Sequence, residues 1–187
     1  MIGFDRPIRP RWIYDSLLLA EPGQKLTELN LPFEEIAREL TGKEGKRKVR
    51  TVLFRCFLRD PANKMRVRKK LWLKELSKQH DLAFMTPIYL FYLIGGTETL
   101  IKISEHIFRL YEWDNEINLI FLKRKMVEGA GDRDVVARSA GSFVNTLQFF
   151  EVVRELDKKL MLNKPLTINE EQAAIMLQLW ARELRHT

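Results

Sequence analysis

Cysteine is nearly absent: Cys56 stands alone among 187 residues, which excludes an intramolecular disulfide and fits a reducing cytosol. Its neighbours Phe54, Phe57 and Leu58 mark it as a small core residue rather than a reactive thiol. No apolar run is long enough to cross a bilayer. The longest, Leu82 to Ile94, has thirteen residues, against the roughly 20 that a membrane helix needs. It carries Pro87 near its start and stops at Gly95-Gly96, so it reads as the buried central helix of a soluble protein with no membrane partner. Met1 to Arg11 lacks the apolar stretch and small-residue cleavage site of a secretion signal. The three histidines, His80, His106 and His186, are scattered and have no Cys or carboxylate at metal-ligand spacing, which argues against a metal site.

Enzyme signatures are equally scarce. Gly95-Gly96-Thr97 and Gly129-Ala130-Gly131 are not followed by the Gly-Lys-Ser/Thr of a phosphate-binding loop. No serine is flanked as a nucleophile elbow. Acid pairs such as Glu34/Glu35 and Asp114/Glu116 fall at expected helix starts, where capping and the helix dipole account for them. The chain reads as a non-enzyme with no catalytic residues and no cofactor.

What the chain has in abundance is positive charge, and it is concentrated. Between Thr41 and His80 stand fourteen Lys and Arg against three acids, Glu44, Asp60 and Glu75, for a net +11. The whole chain is only +7, so the remainder is mildly acidic. Such a polarised field attracts a polyanion, most commonly nucleic acid. With 45% apolar and 10% aromatic residues, this is a folded chain and not a basic tail.

Helix signals dominate the rest. A first helix is expected from about Arg11 to Ala20, stopped by Pro22-Gly23, and a second from Pro32, closed by Thr41-Gly42. A third should run from about Gly45 to Arg59. Asp60-Pro61 reads as a cap and first-turn proline opening a helix to about Gln79, and Thr86-Pro87 repeats that grammar for the apolar helix. Thr97 should begin another helix to about Tyr111, and Asp114 should cap one reaching Glu128. Gly129-Ala130-Gly131 reads as a hinge, followed by a long helix from Asp132 through Phe150 with a break near Gly141. Val152 to Ile168, around Asp157-Lys158-Lys159 and Asn163-Lys164-Pro165, predicts a β-hairpin. Asn169 with Gln172 forms a capping box for a last helix to Arg185. The expected fold is mainly α: a multi-helix bundle with a helix-turn-helix-like N-terminal part and a short hairpin, a possible wing, near the C-terminus. The division expected is a basic region over 1–80 and a helical core over 81–187.

Within the basic region, the second and third helices form a candidate helix-turn-helix. Val49, Val52, Leu53, Cys56 and Phe57 share one face of the third helix, and Lys48, Thr51 and Arg55 present another, as a groove-facing helix requires. Lys46, Arg47, Lys48, Arg50, Thr51 and Arg55 are therefore the expected groove contacts. Arg66, Lys70, Lys74 and Lys78, at i+4 spacing on the next helix, form a candidate phosphate-holding ridge, of which Arg66, Lys70 and Lys74 are the chosen contacts. Lys and Arg dominate, with no Asn/Gln-rich face beside them, so binding should be mainly sequence-nonspecific. A second candidate lies in the C-terminal third. There Val136, Ala140, Phe143, Val144, Leu147 and Phe150 make a core stripe opposite Arg138, Ser142 and Asn145, and the hairpin with Lys158, Lys159 and Lys164 could serve as a wing. The low charge of that polar stripe favours a packing surface or a protein interface there.

Arg9 to Ala20 (RPRWIYDSLLLA), Gly131 to Val153 (GDRDVVARSAGSFVNTLQFFEVV) and the closing hairpin, Pro165 and last helix resemble the BrxA family of bacterial BREX phage-exclusion systems. The resemblance follows most of the chain in order and length, through diffuse helical patterns. It implies a mostly helical protein with helix-turn-helix-like parts and some likeness to NusB-type antitermination proteins. It also implies binding to double-stranded DNA, beside a methyltransferase, an alkaline-phosphatase-like protein and an ATPase. The expected function is thus that of a cytoplasmic, non-enzymatic DNA-binding accessory factor in phage defence. The alternatives are a NusB-like RNA-binding factor and a protein-interaction adapter whose basic face docks an acidic partner.

Overall fold

The computed structural model describes residues 3–128 and 133–184. The expected hinge at Gly129-Ala130-Gly131, the helix start at Asp132 and the last-helix end at Arg185 lie outside them. The fold is mainly helical with one two-stranded antiparallel hairpin, as expected. It divides into two compact units: Ile8–Tyr89, and the described residues before Ile8 together with those from Leu90 onward. The boundary falls inside a helix, between Tyr89 and Leu90.

The first unit begins with α1 (Pro10–Leu19), started by a proline at its first position and burying Trp12, Ile13, Ser16 and Leu17. A single 3-10 turn, Leu26–Leu29, leads into α2, which is Asn30–Ile36 and ends earlier than expected because Ala37 leaves helical geometry. α3 (Lys43–Leu53) runs on without interruption into a π-turn over Phe54–Leu58. There the Arg59 N–H bonds the Phe54 carbonyl, five residues back, at 2.7 Å. Phe33 of α2 meets Phe54 edge-on, with ring centroids 5.6 Å apart, a geometry worth about 0.5–1.5 kcal/mol beyond burial.

The helix expected from Asp60 does not form. Asp60 Oδ1 accepts from the Ala62 and Asn63 N–H groups, so it closes a turn. The chain then runs back beside 23–26, with Lys25 bridging Arg66 and Arg59 bridging Val67, before α4 (Trp72–Gln79) begins. Two causes are visible. Among the large apolar residues only Val67 is buried before Leu71, while Met65 is exposed, so no apolar stripe supports a helix. Lys64 with Arg68 and Arg66 with Lys70 would also be like-charge neighbours at i+4.

α5 (Leu82–Gly95) starts four residues before the expected Thr86-Pro87 signal. Asp81 is its cap, accepting from the Phe84 N–H at 2.8 Å, and Pro87 lies inside the helix. In the first unit, Tyr89 of α5 is buried with its hydroxyl 2.5 Å from Ser77 Oγ, which in turn reaches the Leu73 carbonyl at 2.6 Å. Burial pushes the Tyr89 hydroxyl pKa up. No single helix among the described residues is long and apolar enough to cross a membrane.

The second unit contains α6 (Glu98–Leu110), begun after Thr97 as expected, then α7 (Leu119–Glu128) and α8 (Arg133–Phe149). α7 starts later than expected. Asp114 takes a left-handed φ of 61°, and Asn118 caps the helix by accepting from the Phe121 N–H at 2.9 Å. The residues between form an edge against the hairpin β1 (Val153–Leu156) and β2 (Lys159–Leu162). Asp114 N donates to Leu162 O at 2.7 Å, Leu162 N to Asn115 O at 2.9 Å, and Ile117 N to Leu160 O at 2.6 Å. Asp157 and Lys158 both have positive φ, the two-residue turn whose twist suits a hairpin.

α8 is unbroken at Gly141, contrary to expectation. Val136, Ala140, Phe143, Val144 and Leu147 are buried as expected, and Phe4 packs edge-on against Phe143 while its N–H bonds Ser139 Oγ at 2.8 Å. The expected capping box closes around Asn169 and Gln172 at the start of α9 (Glu170–Leu179), which continues as a π-turn over Trp180–Leu184.

Candidate nucleic-acid interface

α3 carries most of the residues expected to meet nucleic acid. Its apolar face, Val49, Val52 and Leu53, turns inward as the wheel predicts. Gly42, at φ +87°, sets the entry: a left-handed residue lets the chain turn sharply from the end of α2 into the new helix. The connection between α2 and α3 spans residues 37–42, longer than the three or four residues of a tight helix-turn-helix turn. The two helices pair, but not as the tight motif the spacing suggests.

The six expected groove contacts do not act alike. Arg47 and Thr51 are exposed and Lys48 is half-buried. Lys46 instead donates to the Glu34 carbonyl at 3.1 Å, and Arg50 sits 3.9 Å from the Glu34 carboxylate with its side chain largely buried. Both fasten α3 to α2. Arg55 is half-buried on the π-turn that follows α3. The exposed cations of α3 therefore lie in its first half.

Glu44 sits within that platform. Its carboxylate takes two bonds from Arg47, 2.9 Å from Nε and 2.7 Å from Nη2, with Lys48 Nζ at 3.4 Å. The Arg47 hydrogen bond above all, then the nearby charge of Arg47 and Lys48, lowers the Glu44 pKa to about 2. The same pairing raises that of Arg47. Thr51 Oγ1 bonds back to the Arg47 carbonyl at 2.9 Å, so its hydroxyl is already engaged within the helix.

The expected four-cation ridge is not a ridge. α4 begins only at Trp72, so Arg66 and Lys70 lie on the preceding loop and not on the helix of Lys74 and Lys78. Arg66 Nη1 donates to the Gly23 carbonyl at 2.7 Å. Lys74 is buried, with 2% exposure, and its ammonium donates to the Ala20 carbonyl and to Glu21 Oε1, each at 2.6 Å. That bond is the largest cause of a lowered Glu21 pKa. Lys74 is a structural tie and leaves the list of phosphate contacts. Lys78 pairs with Glu75 at 3.0 Å. Lys70, by contrast, is exposed and makes no ion pair or side-chain hydrogen bond among the described residues.

Three further cations share those properties: Lys43 at the first position of α3, and Lys64 and Lys69 on the loop. None is among the expected contacts: Lys43 precedes the expected helix start at Gly45, and Lys64 and Lys69 fall outside the i+4 row expected after Asp60. The signal that finds them is the dense local charge itself, read without imposing a helix on 60–71. Among the described residues no group of three His, Cys, Asp or Glu side chains converges as a metal site would require.

No protein-family model, curated protein or solved structure matches this chain. The functional reading therefore rests on the residues themselves. What they make is a set of exposed ammonium and guanidinium groups on a helix half and a flanking loop, suited to phosphate contacts that carry position and affinity rather than sequence.

Proposed function

We propose that this chain binds double-stranded DNA, non-enzymatically, through the exposed half of α3 and the basic loop that precedes α4. The observation that carries this reading is a set of cations, Lys43, Arg47, Lys48, Lys64, Lys69 and Lys70, solvent-facing or nearly so within a segment of net charge +11. Such a surface releases counterions from the duplex backbone, and affinity then falls steeply as salt rises. Binding of this kind is sequence-nonspecific. The setting we propose, an accessory role beside the methyltransferase and ATPase of a BREX phage-exclusion system, draws its support from the likeness of Arg9–Ala20 and Gly131–Val153 to BrxA proteins.

Charge reversal at Lys43, Arg47 and Lys48 should weaken a gel shift of random-sequence duplex DNA and flatten its salt dependence while helicity by circular dichroism is unchanged. An unchanged affinity and salt slope would refute the assignment. Competition with structured RNA of equal length separates DNA from RNA as the preferred ligand. A protein pull-down that survives nuclease and high salt would favour the adapter reading instead.

A further inference from the structure

The second unit follows the helix and hairpin order of a winged helix-turn-helix: α6, then α7 and α8, then β1 and β2, with the segment 114–117 before α7 bridged to β2. In that arrangement the later helix of the pair, here α8, is the one that enters the major groove. Its outward face is unlike that of α3. Arg138 and Asn145 are exposed, and Ser142 and Gln148 are half-buried on the same side. The Asn145 and Gln148 amides make no side-chain hydrogen bond among the described residues. Arg138 donates Nε to the Asp134 carbonyl at 3.2 Å, a bond that does not use its two terminal nitrogens.

Gly141 lies on this face as well. A Cβ there would meet Lys123 Cε at 3.3 Å and Nζ at 3.4 Å. Glycine is a poor residue for the middle of a helix; here its bareness makes room for the Lys123 arm of α7, whose ammonium lies against α8 at Gly141. At the hairpin tip Lys158 is exposed, whereas Lys159 is held by Glu116 at 2.9 Å and Arg154 by Asp114 at 3.0 Å. The acid on the α8 face is Asp134, in the first turn.

These groups match the chemistry of base edges. Arg forks onto guanine O6 and N7, and Asn or Gln pairs with adenine N6 and N7. A face with few charges and two amides without a side-chain hydrogen bond among the described residues is ill suited to holding phosphates and well suited to reading. We propose that α8 enters the major groove of duplex DNA and reads sequence through Arg138, Asn145 and Gln148, with Lys123 and Lys158 on the flanking phosphates. This goes beyond the non-specific binding assigned to α3, and it revises the packing role that the low charge of the α8 stripe suggests.

The test is in vitro selection from a duplex library with a randomised centre, using the full chain. The wild type should enrich a short motif. Arg138→Ala/Asn145→Ala/Gln148→Ala, with unchanged circular dichroism, should enrich none while the salt slope of its binding to unselected DNA stays at the wild-type value, since the three side chains are assigned to base edges and not to phosphates. No enrichment by the wild type, or the same motif from the triple variant, overturns the proposal. Charge reversal on α3 distinguishes the two sites: it should lower overall affinity and leave the enriched motif unchanged.

Discussion

Glu44 offers the sharpest test of the basic platform, because it is the acid that sits among the cations expected to meet DNA. Its carboxylate clasps Arg47 through two bonds and reaches Lys48. Replacing it with Gln removes one negative charge and releases the Arg47 fork. If the fork then takes one more phosphate, the slope of log affinity against log salt on duplex DNA should steepen by about 0.9. Over a fourfold range, from about 50 to about 200 mM salt, that slope is worth roughly 3.5-fold in affinity. Glu44→Gln should therefore bind a short duplex about threefold tighter than wild type at the low end, with the advantage gone at the high end. Fluorescence anisotropy across a salt series reads both quantities. Circular dichroism controls for the loss of a favourable charge in the first turn of α3. An unchanged slope, or weaker binding at every salt concentration, would show that Arg47 and Lys48 do not face the phosphates.

Other consequences follow from particular contacts. Ser77→Ala should cost about 1–3 kcal/mol in urea unfolding, because it leaves the buried Tyr89 hydroxyl without its partner, whereas Tyr89→Phe should cost less, since Ser77 keeps the Leu73 carbonyl; equal losses would contradict the network. Lys74→Met should destabilise the fold by about 1–3 kcal/mol by orphaning the Ala20 carbonyl, yet leave DNA affinity per folded molecule intact; a selective loss of binding would return Lys74 to the interface. Glu21, Glu44, Glu98 and Glu128 all have pKa values lowered from the ordinary 4.5, each chiefly by a hydrogen bond from a neighbouring Lys or Arg. Depressed carboxyls contribute their stability above that ordinary value and lose it as pH falls through the lowered ones. Thermal midpoints should thus hold steady from neutral pH down to about 5 and decline below about 4, the ordinary carboxylate range; a decline already complete at pH 5 would contradict these pairs.

Where local chemistry is self-sufficient, the sequence speaks clearly. The Asn169–Gln172 capping box, the hairpin around Asp157-Lys158 and the buried stripe of α8 each depend on neighbours a few residues away, and each stands where the residues imply. The segment after Asp60 shows the opposite case. Asp-Pro opens a turn as readily as a helix, and the choice is made by distant backbone, Gly23 to Leu26, that accepts the loop as a partner. Lys74 is hidden for the same reason: periodicity places it on a helix, but only the fold reveals the Ala20 carbonyl and Glu21 waiting for its ammonium. Of the candidate contacts, Arg47, Lys48 and Lys70 keep an outward position, whereas Lys46, Arg50 and Arg66 are committed to backbone or side-chain partners within their own unit. Charge density was legible in the residues; which charges remain available was a tertiary matter.

The segment 114–117 precedes α7 and α8, but the strand it bonds to follows them. A chain emerging from the ribosome therefore carries both helices before that early segment can find its neighbour. Until Leu162 has been synthesised, the Asp114 and Ile117 N–H groups lack their partners, the kind of unpaired edge that exposes a nascent chain to aggregation.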